Sequence, residues 1–188
     1  MNFEKDIQES LKVLKSGGII LYPTDTIWGI GCDATNENAV KKIFQLKQRK
    51  DKKTMIILVS DEQMILNYIT HPDKKIFDHL TKIKKPTTVI YEQAKHIAQN
   101  SISNEGTIAI RIVNDLFCQT LIHQFKKPIV STSANISGED HPENFTAISS
   151  KIKNGVDYIV EHRQSDLSKS APSSIIKLNK DGDIEIIR

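Results

Sequence analysis

Apolar residues at Phe3, Ile7, Leu11 and Leu14 recur every three or four positions, the spacing of one helix face, and Ser16-Gly17-Gly18 ends that helix. Residues 19–22 form a short, wholly apolar run that predicts a buried strand, leading into Pro23-Thr24-Asp25-Thr26. Residues 38–49 return to helical spacing through Val40, Ile43, Phe44 and Leu46. The pattern then predicts a strand over 55–59, helices over 62–69 and 73–83, and strands over 87–91 and 107–112. A helix over 115–125, a strand over 128–130, a helix over 145–153 and strands over 158–160, 174–178 and 184–187 complete the reading. Strands alternating with helices predict an α/β fold, a single twisted mixed sheet flanked by helices. No repeat or low-complexity linker interrupts the chain, so one domain over 1–188 is the expectation. The Ser-rich stretch 165–174, broken by Pro172, is the expected mobile loop.

Composition narrows the class. A chain of 188 residues with 38% apolar and 26% charged residues can bury a core beneath a polar surface. No apolar run reaches the roughly 18–20 residues of a membrane span, and the first sixteen residues are too charged for a signal peptide. Two cysteines, Cys32 and Cys118, suit a reducing cytoplasm and small core positions, and neither has a partner at zinc-ligand spacing. The net charge of +3 is modest, but residues 47–53 hold five cations and one anion, and Lys82, Lys84 and Lys85 form a second cluster. Two solvated surfaces, or a cationic face for nucleotide or RNA phosphates, both account for these clusters.

The candidate chemistry lies in four segments. Ser131-Thr132-Ser133-Ala134-Asn135-Ile136-Ser137-Gly138 follows an apolar strand and places short neutral donors and acceptors at its end, as phosphate, ribose or an amino-acid head group requires. Lys47 and Arg49, expected at an exposed helix end, supply the charge that segment lacks, although the helix dipole alone also favours bases there. Tyr22-Pro23-Thr24-Asp25-Thr26-Ile27-Trp28-Gly29 puts hydroxyls and a carboxylate at a sheet end; if extended, Thr24 and Thr26 share one pocket. The plain alternative is a turn with Asp25 as a cap and Trp28 buried. Arg111 sits on an otherwise apolar strand and needs an anionic partner, either a protein carboxylate or a ligand. There is no Walker loop and no Gly-x-Ser-x-Gly elbow, and Gly29-Ile30-Gly31 lacks the third glycine of a dinucleotide fingerprint.

In order, these segments resemble the YrdC-like family, the threonylcarbamoyl-AMP synthases of tRNA modification. The matching residues are Tyr22 to Thr26, Trp28-Gly29-Ile30-Gly31, Leu46-Lys47-Gln48-Arg49, Ala109-Ile110-Arg111-Ile112, the Ser131 to Gly138 run and Pro172-Ser173-Ser174-Ile175-Ile176. The resemblance implies the short, single-domain form of the family, with a concave cationic ligand site. It implies that L-threonine and bicarbonate form N-carboxythreonine, which attacks the α-phosphate of ATP to give threonylcarbamoyl-AMP and pyrophosphate. A threonylcarbamoyl transferase partner enzyme would then modify tRNA adenosine. Residue by residue, it implies Lys47 and Arg49 as the catalytic pair with Mg2+ accompanying ATP, and no metal site made by the protein. Ser131, Ser133, Asn135, Ser173 and Arg188 would serve the nucleotide, Thr24 and Thr26 the threonine, and Arg111 a carboxylate or carbamate. The chain departs from the family's pattern at Lys50-Asp51-Lys52-Lys53-Thr54-Met55, where prolines are usual. It departs again at Leu58, where a histidine is frequent, and at Lys84-Lys85-Pro86-Thr87-Thr88, which lacks a glycine. Two competing readings are a non-catalytic RNA-binding module of the same fold, using the lysine-rich face, and a carbamoyl-adenylating relative. The latter normally sits within a much larger multidomain chain.

Overall fold

Side chains alternate strictly across the central strands, and that alternation builds two cores. In the computed structural model, which describes residues 3–49, 55–73, 75–169, 171–178 and 184–188, Ile20 and Tyr22 of β1 (Ile20–Tyr22) face one layer of helices and Ile19 and Leu21 face the other. The same split separates Leu58 from Ile57 and Val59 on β3 (Ile56–Val59), and Ile129 from Val130 on β6 (Ile129–Ser133).

The remaining strands are β2 (Gly29–Asp33), β4 (Thr87–Tyr91), β5 (Ile108–Ile112), β7 (Tyr158–Ile159), β8 (Ser174–Leu178) and β9 (Ile184–Ile186). Among the described residues they form one mixed nine-stranded sheet in the order β7-β1-β2-β6-β3-β5-β4-β8-β9. β3 runs parallel to β5 and antiparallel to β6, and β2 is antiparallel to both β1 and β6. This is the mixed α/β architecture that the hydrophobic pattern predicts.

One face is covered by α1 (Glu4–Lys15) and α5 (Leu116–Phe125). The predicted stripe Phe3, Ile7, Leu11 and Leu14 is buried, and the Phe3 ring meets Phe117 edge-on at 5.5 Å. The Asp115 carboxylate caps α5 by accepting from the Cys118 N–H, and burial pushes the Cys118 and Cys32 thiols up, so both cysteines are inert core residues. α2 (Glu37–Leu46) covers the other face, its first turn capped by Asn36, and α3 (Glu62–Tyr68) and α4 (Lys75–Leu80) pack on the same core.

Five stretches differ from the pattern by more than one residue, the first being the helix expected over 38–49, which ends at Leu46. Residues 29–33 form β2, which the hydrophobic reading leaves out because two of its five positions are glycine. β6 runs on to Ser133. The helix expected over 73–83 ends at Leu80, where the N–H groups of Lys82 and Ile83 tighten to i−3 partners. The helix expected over 145–153 is two short pieces, because Asn144 caps a turn at Phe145–Ala147 and Ser149 separately caps α6 (Ser150–Asn154). Residues 50–54, the bulk of the first lysine cluster, lie outside the described residues, as does Ser170 within the expected loop. Residues 166–169 and 171–173 are neither helix nor strand.

Candidate functional site

The helices α1 and α5 stop short of one end of the sheet face they cover, and the residue types change where they stop. Along β6, Ile129 lies under the helices, and Ser131 and Ser133, on the same face, line an open cavity of ≈ 260 Å³. Ile56 of β3 continues that floor next to Ser131, its partner in the ladder. Opposite, Gly29 pairs with Ser133 and Gly31 with Ser131. The glycines are there for space: a Cβ on Gly31 would meet the Tyr22 ring at 2.6 Å, and one on Gly29 would meet Ser131 Oγ at 2.8 Å. Tyr22 thus lies flat across the strand pair and closes the covered side, while burial pushes its hydroxyl pKa up.

Arg111 forms the wall beside this floor and is only 3% exposed. Its Nη1 donates to the Asp25 carboxylate, its Nη2 to Thr26 Oγ1 at 3.2 Å, and its Nε is buried with no hydrogen-bond partner among the described residues. Asp25 also accepts from the Asn114 N–H at 3.1 Å. Of the two partners open to Arg111 from sequence, the structure provides the protein carboxylate; these bonds use two of the five guanidinium donors, and Nε is the nitrogen that makes none among the described residues.

The 24–27 segment is bent, and the bend brings the two threonine hydroxyls together, Oγ1 to Oγ1 at 2.9 Å. Thr24 Oγ1 donates to the Ile27 carbonyl at 2.8 Å and accepts from the Thr26 N–H at 3.0 Å, so its hydroxyl is spent on the turn. Thr26 lines the cavity, and with Thr24 it also lines a second, smaller one beside Trp28 and Arg163; Thr24 is absent from the lining of the first. Trp28 is buried, against Phe145 at 4.9 Å.

α2 ends in a left-handed turn at Gln48, with φ 53°, where the N–H groups of Gln48 and Arg49 bond back to Gln45 and Phe44. That turn sends the two basic side chains in different directions. Arg49 reaches the cavity wall, its guanidinium 5.7 Å from the centre of the Phe44 ring. Lys47, expected at an exposed helix end, is instead 3% exposed, and its Nζ donates to the carbonyls of Ser133 at 2.5 Å and Asn135 at 2.6 Å. Burial lowers its pKa to about 8, helped by the nearby charge of Arg49 and opposed by Glu139.

On the far wall, Ser173 is buried with its Oγ 2.8 Å from Thr88 Oγ1, and its carbonyl accepts from Arg188 Nη2 at 3.0 Å. The backbone of Arg188 pairs with Ile175, which brings the end of the chain onto the cavity. The structure thus gathers Thr26, Arg49, Arg111, Ser131, Ser133, Ser173 and Arg188 around one space, and sets Thr24, Lys47 and Asn135 behind its walls. Thr132 and His141 line it as well. The sequence offers little signal for His141, which sits in an exposed loop beyond Gly138. Leu58, where the family often has histidine, is wholly buried under α5 and is not part of the cavity.

Fold and cavity define a small α/β protein with a hydroxyl-lined pocket on its sheet, where three arginines are among the lining residues and Arg111 is already paired with Asp25. The chain belongs to the Sua5/YciO/YrdC family, described as "Telomere recombination", whose pattern matches residues 12–188. It is 30% identical over 164 residues to the threonylcarbamoyl-AMP synthase of Pseudoalteromonas translucida, covering 86% of this chain and 88% of that one. It is 33% identical over 162 residues to the enzyme of the same name from Photobacterium profundum, covering 83% and 86%. In fold it is similar to P. abyssi Sua5 complexed with L-threonine (TM-score 0.86, 22% identity), covering 98% of this chain and 54% of that longer one. It is also similar to E. coli YciO (TM-score 0.79, 20% identity), covering 98% and 88%.

Proposed function

We propose that the protein is a threonylcarbamoyl-AMP synthase, a nucleotidyltransferase that joins L-threonine, bicarbonate and ATP into threonylcarbamoyl-adenylate and releases pyrophosphate. The observation that carries this reading is the convergence of Arg49, Arg111 and Arg188 with the hydroxyls of Ser131 and Ser133 on one open sheet floor. Relatives that bear this activity's name at 30–33% identity, over more than four-fifths of the chain, support it.

The chemistry asks for positioning and for charge stabilisation. A carbamate oxygen of N-carboxythreonine forms a bond to the α-phosphorus as the bond from phosphorus to the bridging oxygen of pyrophosphate breaks. A carboxylate nucleophile needs no proton removed, so no general base is required. Arg49 and Arg188 stabilise the charge that grows on the phosphoryl and leaving oxygens, and Ser131, Ser133 and Ser173 hold nucleotide oxygens. Thr26 and Arg111, which both line the cavity, take the amino-acid end. Mg2+ would accompany ATP and supply charge neutralisation at its phosphates. No helix among the described residues is long and apolar enough to cross a membrane; a cytoplasmic place, beside a transferase partner acting on tRNA, follows from the proposed reaction.

The test is pyrophosphate release from ATP with Mg2+ and bicarbonate. Release is expected with L-threonine and not with alanine, and Arg49→Ala is expected to lower it at least about a hundredfold, the usual scale for one charged transition-state contact. Release without amino acid, or an Arg49→Ala rate equal to wild type, contradicts the assignment.

A further inference from the structure

Two residues that the family resemblance points toward the nucleotide do not face the cavity. Lys47 and Asn135 turn instead to one another and to the loop that follows β6. The three donors of the Lys47 ammonium meet the Ser133 carbonyl at 2.5 Å, the Asn135 carbonyl at 2.6 Å and Asn135 Oδ1 at 3.5 Å. The Lys47 carbonyl accepts from the Ser137 N–H at 2.9 Å. Asn135 Nδ2 donates to the carbonyls of Ile136 at 3.0 Å and Glu139 at 2.6 Å, and its backbone N–H donates to Ser133 at 2.9 Å.

This accounts for every polar group of both side chains. An ammonium has three donors and no acceptor, and a carboxamide has two donors and one acceptor. To reach a phosphate, Lys47 would have to give up its bonds to two part-buried carbonyls, of which only that of Ser133 keeps a second donor, the Asn135 N–H. Segment 133–139 carries Ser133 at one end and leads into His141 at the other, and both line the cavity. Fixing its carbonyls therefore fixes the wall that faces the nucleotide.

We propose that Lys47 and Asn135 are positioning residues, an internal lock that holds the 133–139 loop in its binding shape and acts on substrate only through Ser133 and His141. The inference rests on the reading of the cavity as the nucleotide site. It changes what the Lys-x-Arg and Ser-x-Asn pairs mean in this chain: one member of each, Arg49 and Ser133, meets the ligand, and the other holds the wall.

Hydrogen–deuterium exchange on the ATP-free protein tests this, because no substrate is present to be contacted. In both Lys47→Met and Asn135→Ala the amides of 133–139 are expected to exchange at least about tenfold faster, with the core strands unchanged. The double variant is expected to exceed either single one only slightly, since both remove the same lock. In steady-state assays the KM for ATP is expected to rise by a larger factor than kcat falls. Wild-type exchange across the loop in Asn135→Ala and Lys47→Met overturns the proposal, as does a fall confined to kcat, because direct contact in the transition state predicts both. If Lys47→Met does not fold, Asn135→Ala alone decides through the same exchange measurement. A wild-type protein without threonine-dependent turnover would defeat the functional reading and leave the exchange result to judge the lock.

Discussion

Lys47 carries a charge into a place that disfavours it, and this has a measurable consequence. Its pKa, ordinarily 10.5, falls to about 8 because burial penalises the ammonium. The unfolded chain therefore binds more protons than the folded one between those two values, and the Lys47 contribution to stability rises with pH across that window. The stability of wild type relative to Lys47→Met, taken from urea midpoints, is expected to increase by about 2 kcal/mol between pH 7 and 10. Taking the difference removes the opposing effects of the buried Cys32 and Cys118 thiols, which are present in both proteins. A flat difference would show that the ammonium is hydrated, and would remove the basis for its buried hydrogen bonds. At this scale the sequence indicates which residue types gather but not the direction in which they point. Lys47 and Arg49 are two apart, yet a left-handed Gln48 sends one inward and the other to the cavity. Arg111 could be expected to need an anion, and only the bend at 24–27 shows that Asp25 provides it.

Elements were legible where the hydrophobic period is clean. The stripe of α1, the apolar runs of β1 and β3, and the capped start of α5 all form where the pattern places them. β2 was hidden because its glycines lack the side chains that mark a strand; Gly31 makes room for the Tyr22 ring and Gly29 for the Ser131 hydroxyl. Gly31→Ala is accordingly expected to destabilise the fold by about 1–3 kcal/mol, the range for overpacking a closed site. Its Cβ meets the Val130 carbonyl at 2.9 Å as well as the ring, and backbone cannot move aside cheaply. Gly106→Ala is the control. Nothing lies within 4 Å of its Cβ, so it carries only the strain of φ +75°, about 1 kcal/mol. Equal denaturation midpoints for Gly31→Ala and wild type would show that the β2–β6 floor is looser than this packing requires.

The whole molecule places its chemistry where two helices leave a mixed sheet uncovered. Motifs nearly a hundred residues apart meet there because β6 lies between β2 and β3, and because the last residues return along β8. The motif order was readable in the sequence. The sheet order that makes those motifs neighbours was not, since pairing across such separations leaves no local trace. The lysine-rich face of the RNA-module reading gains nothing from this arrangement: Lys84 and Lys85 border a different cavity from the one that Arg49 and Ser133 line. The measurement closest to the central claim is the fate of the bicarbonate carbon. With 13C-bicarbonate, L-threonine and ATP, mass spectrometry is expected to find an AMP adduct of threonine one mass unit heavier than its unlabelled counterpart, formed in step with pyrophosphate. An adduct of unchanged mass, or pyrophosphate released with no adduct, would contradict the account.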